Sequence, residues 1–367
     1  MIKKQKGGTI LIRTDDHIYQ AVDDWIKNRN EAEYIYGHIS DWDTSAVTNM
    51  KDLFLAYGDF NDDISNWNVS NVTNMGGMFL HARSFNQPIG GWDTRNVTKM
   101  GGMFTSARSF NQPVGKWDTH NVTDMGLMFM GASSFNQPIG RWDTENVTDM
   151  RMMFEGATTF NQPIGGWDTH NVTYMYRMFE KATSFNQPIG RWDTHNVTTM
   201  YGMFEKATSF NQPIGRWDTE NVTDMHDMFD NAESFNQDLT SWDINPVILD
   251  IIGKEDHDGN IERNYMFNES NMDVNNYPIR NAIINRNKRI MQTMIDDIED
   301  SEDNQRKVKA LQTVFNVFNS DGNKNSFYYG GKKKSKSKRK SLKKNSKSKR
   351  RKSLKKKQRK TKRKGRR

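Results

Sequence analysis

Nine tryptophans, Trp42, Trp67, Trp92, Trp117, Trp142, Trp167, Trp192, Trp217 and Trp242, recur at a strict interval of 25 residues. Around them the unit reads SFNQPIGxWDTxNVTxMxxMFxxAx, with no insertion breaking the spacing. A single globular core gives no reason for such a period, whereas a solenoid of stacked coils requires it. Hydrophobic content is only 34%, but the chain holds 10 Trp, 20 Phe and 22 Met. The core is therefore expected to be aromatic and thioether-rich rather than aliphatic.

Each unit parses into one coil. In the copy that begins at Asn96, NVTxM predicts a short β-type segment in which Val97 and Met100 flank polar Thr98. MxxMFxxA then places Met100, Met103, Phe104 and Ala107 at i, i+3, i+4 and i+7, one face of a short helix. Thr98 stands where an N-cap belongs, and Asp124, Asp149 and Asp224 follow the equivalent Thr, where a helix N-terminus favours negative charge. SFNQPIG is the return: Phe110 turns inward, Pro113 fixes the backbone and Gly115 permits a sharp bend. Trp92, Trp117, Trp142, Trp167, Trp192 and Trp217 are core rungs. With strands about 4.7–4.9 Å apart, eight intervals span roughly 40 Å.

WDTxNVTxMxxMFxxAxSFNQPIG resembles the BspA-like leucine-rich repeat family, found in bacterial surface proteins, protists and large DNA viruses. The match covers roughly residues 37–245 and includes period, Trp, NVT, MF and FNQ. The segment IYQAVDDWIKNRNEAEYIYGHISDW is similar to the short helix that often precedes such arrays. The resemblance implies an α/β repeat solenoid of right-handed strand–helix coils, leucine-rich-repeat-like, and a role in recognition or adhesion.

The polar residues invite chemistry, but repetition explains them better. The sequons at Asn71, Asn96, Asn121, Asn146, Asn171, Asn196 and Asn221 would place glycans one coil apart, where they collide. An asparagine ladder bonded to turn backbone fits instead. The column Asp43, Asp93, Asp118, Asp143, Asp168, Asp193, Asp218, Asp243 reads as Asx-type turns rather than a cation site, since Asn68 replaces Asp in one copy. His120, His170 and His195 share a position that also takes Arg95, Glu145 and Glu220, which marks a solvated face rather than a metal pair. EDHDGNIE (255–262) and NSDGN (319–323) fail as EF-hand loops, because neither end supplies a carboxylate. The chain has no cysteine, no nucleotide-binding glycine loop and no nucleophile–His–Asp set. The expectation is a protein that is not an enzyme, with no metal and no cofactor.

Individuality lies in the variable positions, and the middle and late coils are richest in Arg, Tyr and His. Those types supply stacking and forked hydrogen bonds at interfaces, so Arg141, Tyr174, Tyr176, Arg177, Arg191, Tyr201 and Arg216 form the candidate surface for a protein partner. Residues 1–36 are expected to hold a capping helix with Ile18, Val22, Trp25 and Ile26 inward. Residues 246–331 are expected to close the other end, with helices over 278–299 and 303–318.

The net charge of +8 hides a division. Residues 332–367 carry 24 of the 53 Lys and Arg side chains and no acid, which leaves 29 basic against 45 acidic residues elsewhere. This tail has no aromatic and is expected to be disordered. Lys338, Arg339, Lys340, Lys349, Arg350, Arg351, Arg363, Arg366 and Arg367 are its expected polyanion contacts, by counterion release, or a nuclear-import signal. Ser341 and Ser353 are candidate phosphorylation switches. Basic tails of this kind after a Gly-Gly step resemble those of large-DNA-virus proteins. The N-terminus has no apolar h-region and no run approaches a membrane span. The expected setting is intracellular, in cytoplasm or nucleus, or in a virion or host cell. The expected function is a repeat scaffold for protein–protein interaction. The alternatives are a nucleic-acid-associated or packaging protein driven by the tail, or a surface adhesin.

Overall fold

The computed structural model describes residues 12–242, 265–267, 270 and 271, all within the first of the chain's two compact units, Met1–Thr293. The chain starts with β1 (Ile12–Thr14), α1 (Asp15–Lys27), α2 (Arg29–Tyr36) and β2 (Asp43–Ala46), with β1 and β2 paired in parallel. From β2 onward it is a repeat protein whose successive 25-residue units pair in parallel register.

The first helix forms because Ile18, Ala21, Val22 and Trp25 make one buried stripe, with Asp15 and Asp16 in its first turn and Lys27 in its last. That stripe closes the near end of the stack. Trp25 meets Trp42 edge-on at 6.1 Å, and the Asp15 carboxylate accepts from the N–H groups of Thr48 (2.7 Å) and Asn49 (3.0 Å). Tyr19 Oη donates to the Lys51 carbonyl at 2.9 Å. Backbone groups that a preceding coil would satisfy are thus met by side chains. Arg13 locks the joint: its buried guanidinium lies 4.9 Å from the ring centroids of both Tyr36 and Trp42 and donates to the Tyr36 carbonyl. Burial, then the hydrogen bond to Asp24, pushes the Tyr36 phenol up to about 12.

The expected helix within each unit is absent. In the copy at 100–107, the N–H groups of Met100, Gly102, Phe104 and Ser106 donate to Asp124, Gly126, Met128 and Met130 of the next coil. The alternate N–H groups, of Met103, Thr105 and Ala107, close tight turns onto Met100, Gly102 and Phe104. An α-helix would keep every bond inside the segment; here half point to the neighbouring coil. The backbone accordingly passes through the left-handed region at Gly102 (φ 67°) and Ser106 (φ 57°), which no helix tolerates. Thr98 is not an N-cap, since its N–H and hydroxyl both donate back to Thr73. Asp124 is likewise an Asx turn, accepting from the Gly126 N–H at 3.0 Å.

The residues read as core are core. Val97, Met100, Met103, Phe104, Ala107, Phe110 and Trp117 are buried, and so are their counterparts in the other coils, apart from Tyr57 in the first, which is partly buried. From Trp92 to Trp242 consecutive indoles stack at 6.3–6.5 Å and within 7° of parallel. Each Nε1 donates to a buried carbonyl in the coil before, as Trp142 does to Val114 at 3.1 Å. Phe104 and Phe110 stack at 3.8 Å within one coil, and Phe104 continues onto Phe129 at 5.6 Å. Each such phenylalanine contributes roughly 2–3 kcal/mol of apolar transfer on burial.

Gly115 serves a different need from the expected bend. Its φ is not left-handed; instead, a Cβ there would lie 2.1 Å from the carbonyl oxygen of Pro138. The position is reserved for close coil-to-coil approach. Asparagines tie the same contacts: Asn96 Nδ2 donates to the Ser70 carbonyl at 2.7 Å, and the Asn111 N–H donates to Asn86 Oδ1 at 3.0 Å.

The ladder also runs past Trp242, where the sequence pattern decays. Phe229 donates its N–H to the Met266 carbonyl at 2.8 Å and stacks on Phe267 at 5.4 Å. Met266 and Phe267 are buried and form the next Met–Phe rung, so the array extends beyond the expected limit at 245. The helices expected at 278–299 and 303–318, and the tail at 332–367, lie outside the described residues.

Candidate protein interface

Because coils stack in register, residues 25 apart form columns, and four columns on the turn face carry the candidate chemistry. One is the bridge column Asp124–Asp149–Tyr174–Thr199–Asp224, where the Tyr174 side chain lies on the surface, 43% exposed. Two residues on, Arg151, Tyr176, Tyr201 and His226 form the next column, all partly buried. Arg177 belongs to the third, at a left-handed φ of 53°.

Arg177 joins two of them. Its guanidinium sits 4.8 Å over the Tyr201 ring and its Nη2 donates to Tyr201 Oη at 2.7 Å. On the other side its Nε lies 3.2 Å from Glu180 Oε2, in ionic contact without hydrogen-bond alignment. The Tyr201 hydrogen bond, opposed by burial and aided by Glu180, raises the Arg177 pKa above its ordinary value.

The fourth column was not singled out in the sequence. Glu155, Glu180 and Glu205 stand in successive coils, where Leu80, Thr105 and Met130 occupy the earlier ones. Glu180 is buried and pairs with Lys181 as well as Arg177; Glu205 pairs with Lys206. Glu155 is followed by Gly156, so it lacks that lysine, and its Oε2 has no hydrogen-bond partner. The signal was the triplet MFEGA, MFEKA, MFEKA, three successive glutamates at a position that holds Leu80, Thr105 and Met130 in the earlier coils.

Burial, then the neighbouring Glu180 carboxylate, pushes the Glu155 carboxyl up. A raised carboxyl weakens the fold above its folded-state pKa and has no effect below the unfolded one. Glu155→Gln is therefore expected to raise the unfolding midpoint by about 2–4 °C near pH 7, and to leave it unchanged near pH 3, by calorimetry at both values.

The predicted surface thus divides. Tyr174, Tyr176, Arg177 and Tyr201 rise from adjacent coils on one turn face, and Arg177 with Tyr201 is a fixed cluster. Arg141, Arg191 and Arg216 lie on a separate turn, the one before each Trp; all three are exposed and enter none of the ion pairs of the described residues. Trp92, Trp117, Trp142, Trp167, Trp192 and Trp217 are buried. Lys338 to Lys340, Lys349 to Arg351, Arg363, Arg366, Arg367, Ser341 and Ser353 lie outside the described residues. No helix of the described residues is long and apolar enough to cross a membrane.

The family described as "Mycoplasma protein of unknown function, DUF285" matches over residues 24–126, 112–196 and 163–251, three overlapping stretches that follow the coil array. No curated protein and no solved structure matches the chain. Since these stretches cover more than half of the sequence, the chain is a member of the DUF285 family.

Proposed function

We propose that the protein is a non-enzymatic repeat scaffold, a solenoid in the sense of the BspA-like arrays, that holds a protein partner on the face bearing Tyr174, Tyr176, Arg177 and Tyr201. The observation that carries this reading is the Arg177 cluster. A guanidinium already stacked on Tyr201 and paired with Glu180 loses little side-chain entropy when a partner docks, and exposed Tyr174 stands in the neighbouring column. Tyr and Arg are the residues that most often dominate such interfaces. Every polar position in the array is duplicated, which suits a surface better than a reaction centre.

The cationic stretch at 332–367 supports a second, separable activity toward polyanions, with steep salt dependence and no base preference. Affinity capture from the native cell tests the two together. The double variant Tyr174→Ala/Tyr176→Ala leaves the Arg177–Glu180 pair intact and is expected to lose protein capture about tenfold or more, with an unchanged thermal midpoint. Deletion of 332–367 is expected to abolish polyanion binding and spare that capture. Undiminished capture by the double variant removes the turn face from consideration. Loss of all capture on tail deletion makes the tail the principal agent.

A further inference from the structure

We propose that His120, Asp143 and Glu145 bind a divalent ion of the zinc type, and that His195, Asp218 and Glu220 form a second copy of the same site. From the sequence alone the His column is a solvated polar face. Stacking does something else: it sets the residue after WDT in one coil against the Asp of the next. His120 Nδ1 lies 3.2 Å from Asp143 Oδ2. Together with a Glu145 carboxylate oxygen, these donors lie within 4.8 Å of one another.

The donors are held by the backbone rather than by chance. The Glu145 N–H occupies Asp143 Oδ1 at 3.1 Å, which leaves Oδ2 to face the imidazole. Thr119 Oγ1 donates to the Asp143 carbonyl at 2.8 Å, and the His120 N–H donates to Asp118 Oδ1 at 3.1 Å. Ligands at about 2.0–2.1 Å from a tetrahedral ion sit about 3.4 Å from each other, close to the His120–Asp143 separation. One imidazole and two carboxylates, with no thiolate, form a borderline donor set suited to zinc.

The second set repeats the His–Asp contact; only in the first do all three donors already lie within 4.8 Å of one another, so exposed Glu220 must rotate to close on the ion. His195 Nδ1 lies 3.2 Å from Asp218 Oδ2, and the Glu220 N–H holds Asp218 Oδ1 at 3.0 Å. His170 shows what happens without the third donor. The next coil offers His195 in place of a glutamate, and the His170 ring turns back to its own Asp168 at 2.8 Å. Arg95 behaves likewise, reaching its own Asp93. Among these positions the side chain crosses to the next coil only where that coil supplies both Asp and Glu.

The test uses the full chain, freed of metal with a chelator and titrated with zinc chloride alone by calorimetry. Cobalt(II) absorption reports the coordination geometry. Two ions per chain are expected, with the intense visible bands of tetrahedral cobalt. His120→Asn is expected to leave one, His120→Asn/His195→Asn none, and His170→Asn two. The column already accepts Arg95 and Glu145, so these variants keep the fold. No uptake, or uptake undiminished in the double variant, overturns the proposal. A single ion lost with His120→Asn upholds the first site and overturns the second.

Discussion

Gly140→Ala is expected to lower the unfolding midpoint of the array by about 10 °C, while Gly166→Ala leaves it within about 1 °C. The two glycines belong to successive coils but to different positions of the unit: Gly140 stands two residues before its Trp, and Gly166 immediately before its Trp, where other coils carry Lys116, Arg141 or Arg191. A Cβ on Gly140 would lie 2.2 Å from the Pro163 carbonyl oxygen and 3.4 Å from its carbon, whereas nothing stands within 4 Å of one on Gly166. The obstacle is backbone, so no side-chain rotation relieves it. Relief requires the coils to separate locally, which stretches their hydrogen bonds and unstacks Trp142 from Trp167. Such overpacking costs about 3 kcal/mol or more. Gly90, Gly115, Gly165, Gly190 and Gly215 face the same obstacle at 2.0–2.4 Å, so each is expected to behave as Gly140 does. Thermal denaturation of the two alanine variants decides the matter, and equal midpoints would show that coil approach is not limiting.

Trp142→Ala is expected to remove about 3–5 kcal/mol and to split the single unfolding transition into two. The indole stacks on Trp117 and on Trp167 at 6.5 Å, touches Phe129 at 6.1 Å, and covers the Val114 carbonyl to which it donates. Its loss leaves a cavity and a buried carbonyl without a donor, an added penalty of about 1–3 kcal/mol when no water enters. Because each coil touches only its neighbours, the defect uncouples the coils on either side. Trp242→Ala, near the far end, is expected to shorten the cooperative unit without dividing it. Urea unfolding followed by tryptophan fluorescence separates these outcomes. One sharp transition for Trp142→Ala, displaced by under about 1 kcal/mol, would contradict nearest-neighbour stacking.

The parts of the fold that depend on spacing alone were legible. Every Trp, Val97, Met100, Met103, Phe104 and Phe110 is buried as the repeat predicts, because a strict period fixes which residues face inward. The element type was not legible, since i, i+3, i+4, i+7 suits two successive tight turns as well as a helix. A signal against the helix was present: Gly77, Gly102 and Gly202 occupy one left-handed position, and Gly131, Gly156 and Asn231 the other. Met266 and Phe267 were missed because the extra residues before them break the period on which the reading relied. On the candidate face, Tyr176, Arg177 and Tyr201 were legible as variable residues. The Glu180 contact that fixes Arg177 was not, because a glutamate in a column of mixed polarity reads as solvent-facing until its burial is known.

Stacking is tested most directly by distances between coils. The chain has no cysteine, so paired spin labels report only engineered positions. Arg95, His170 and Glu220 share one surface column, the last two at three and five coils from the first. Pulsed electron resonance on Arg95→Cys/His170→Cys and Arg95→Cys/Glu220→Cys is expected to give separations near 15 and 24 Å, a gain of about 4.8 Å per coil. A five-coil pair no farther apart than the three-coil pair would contradict the stacked array.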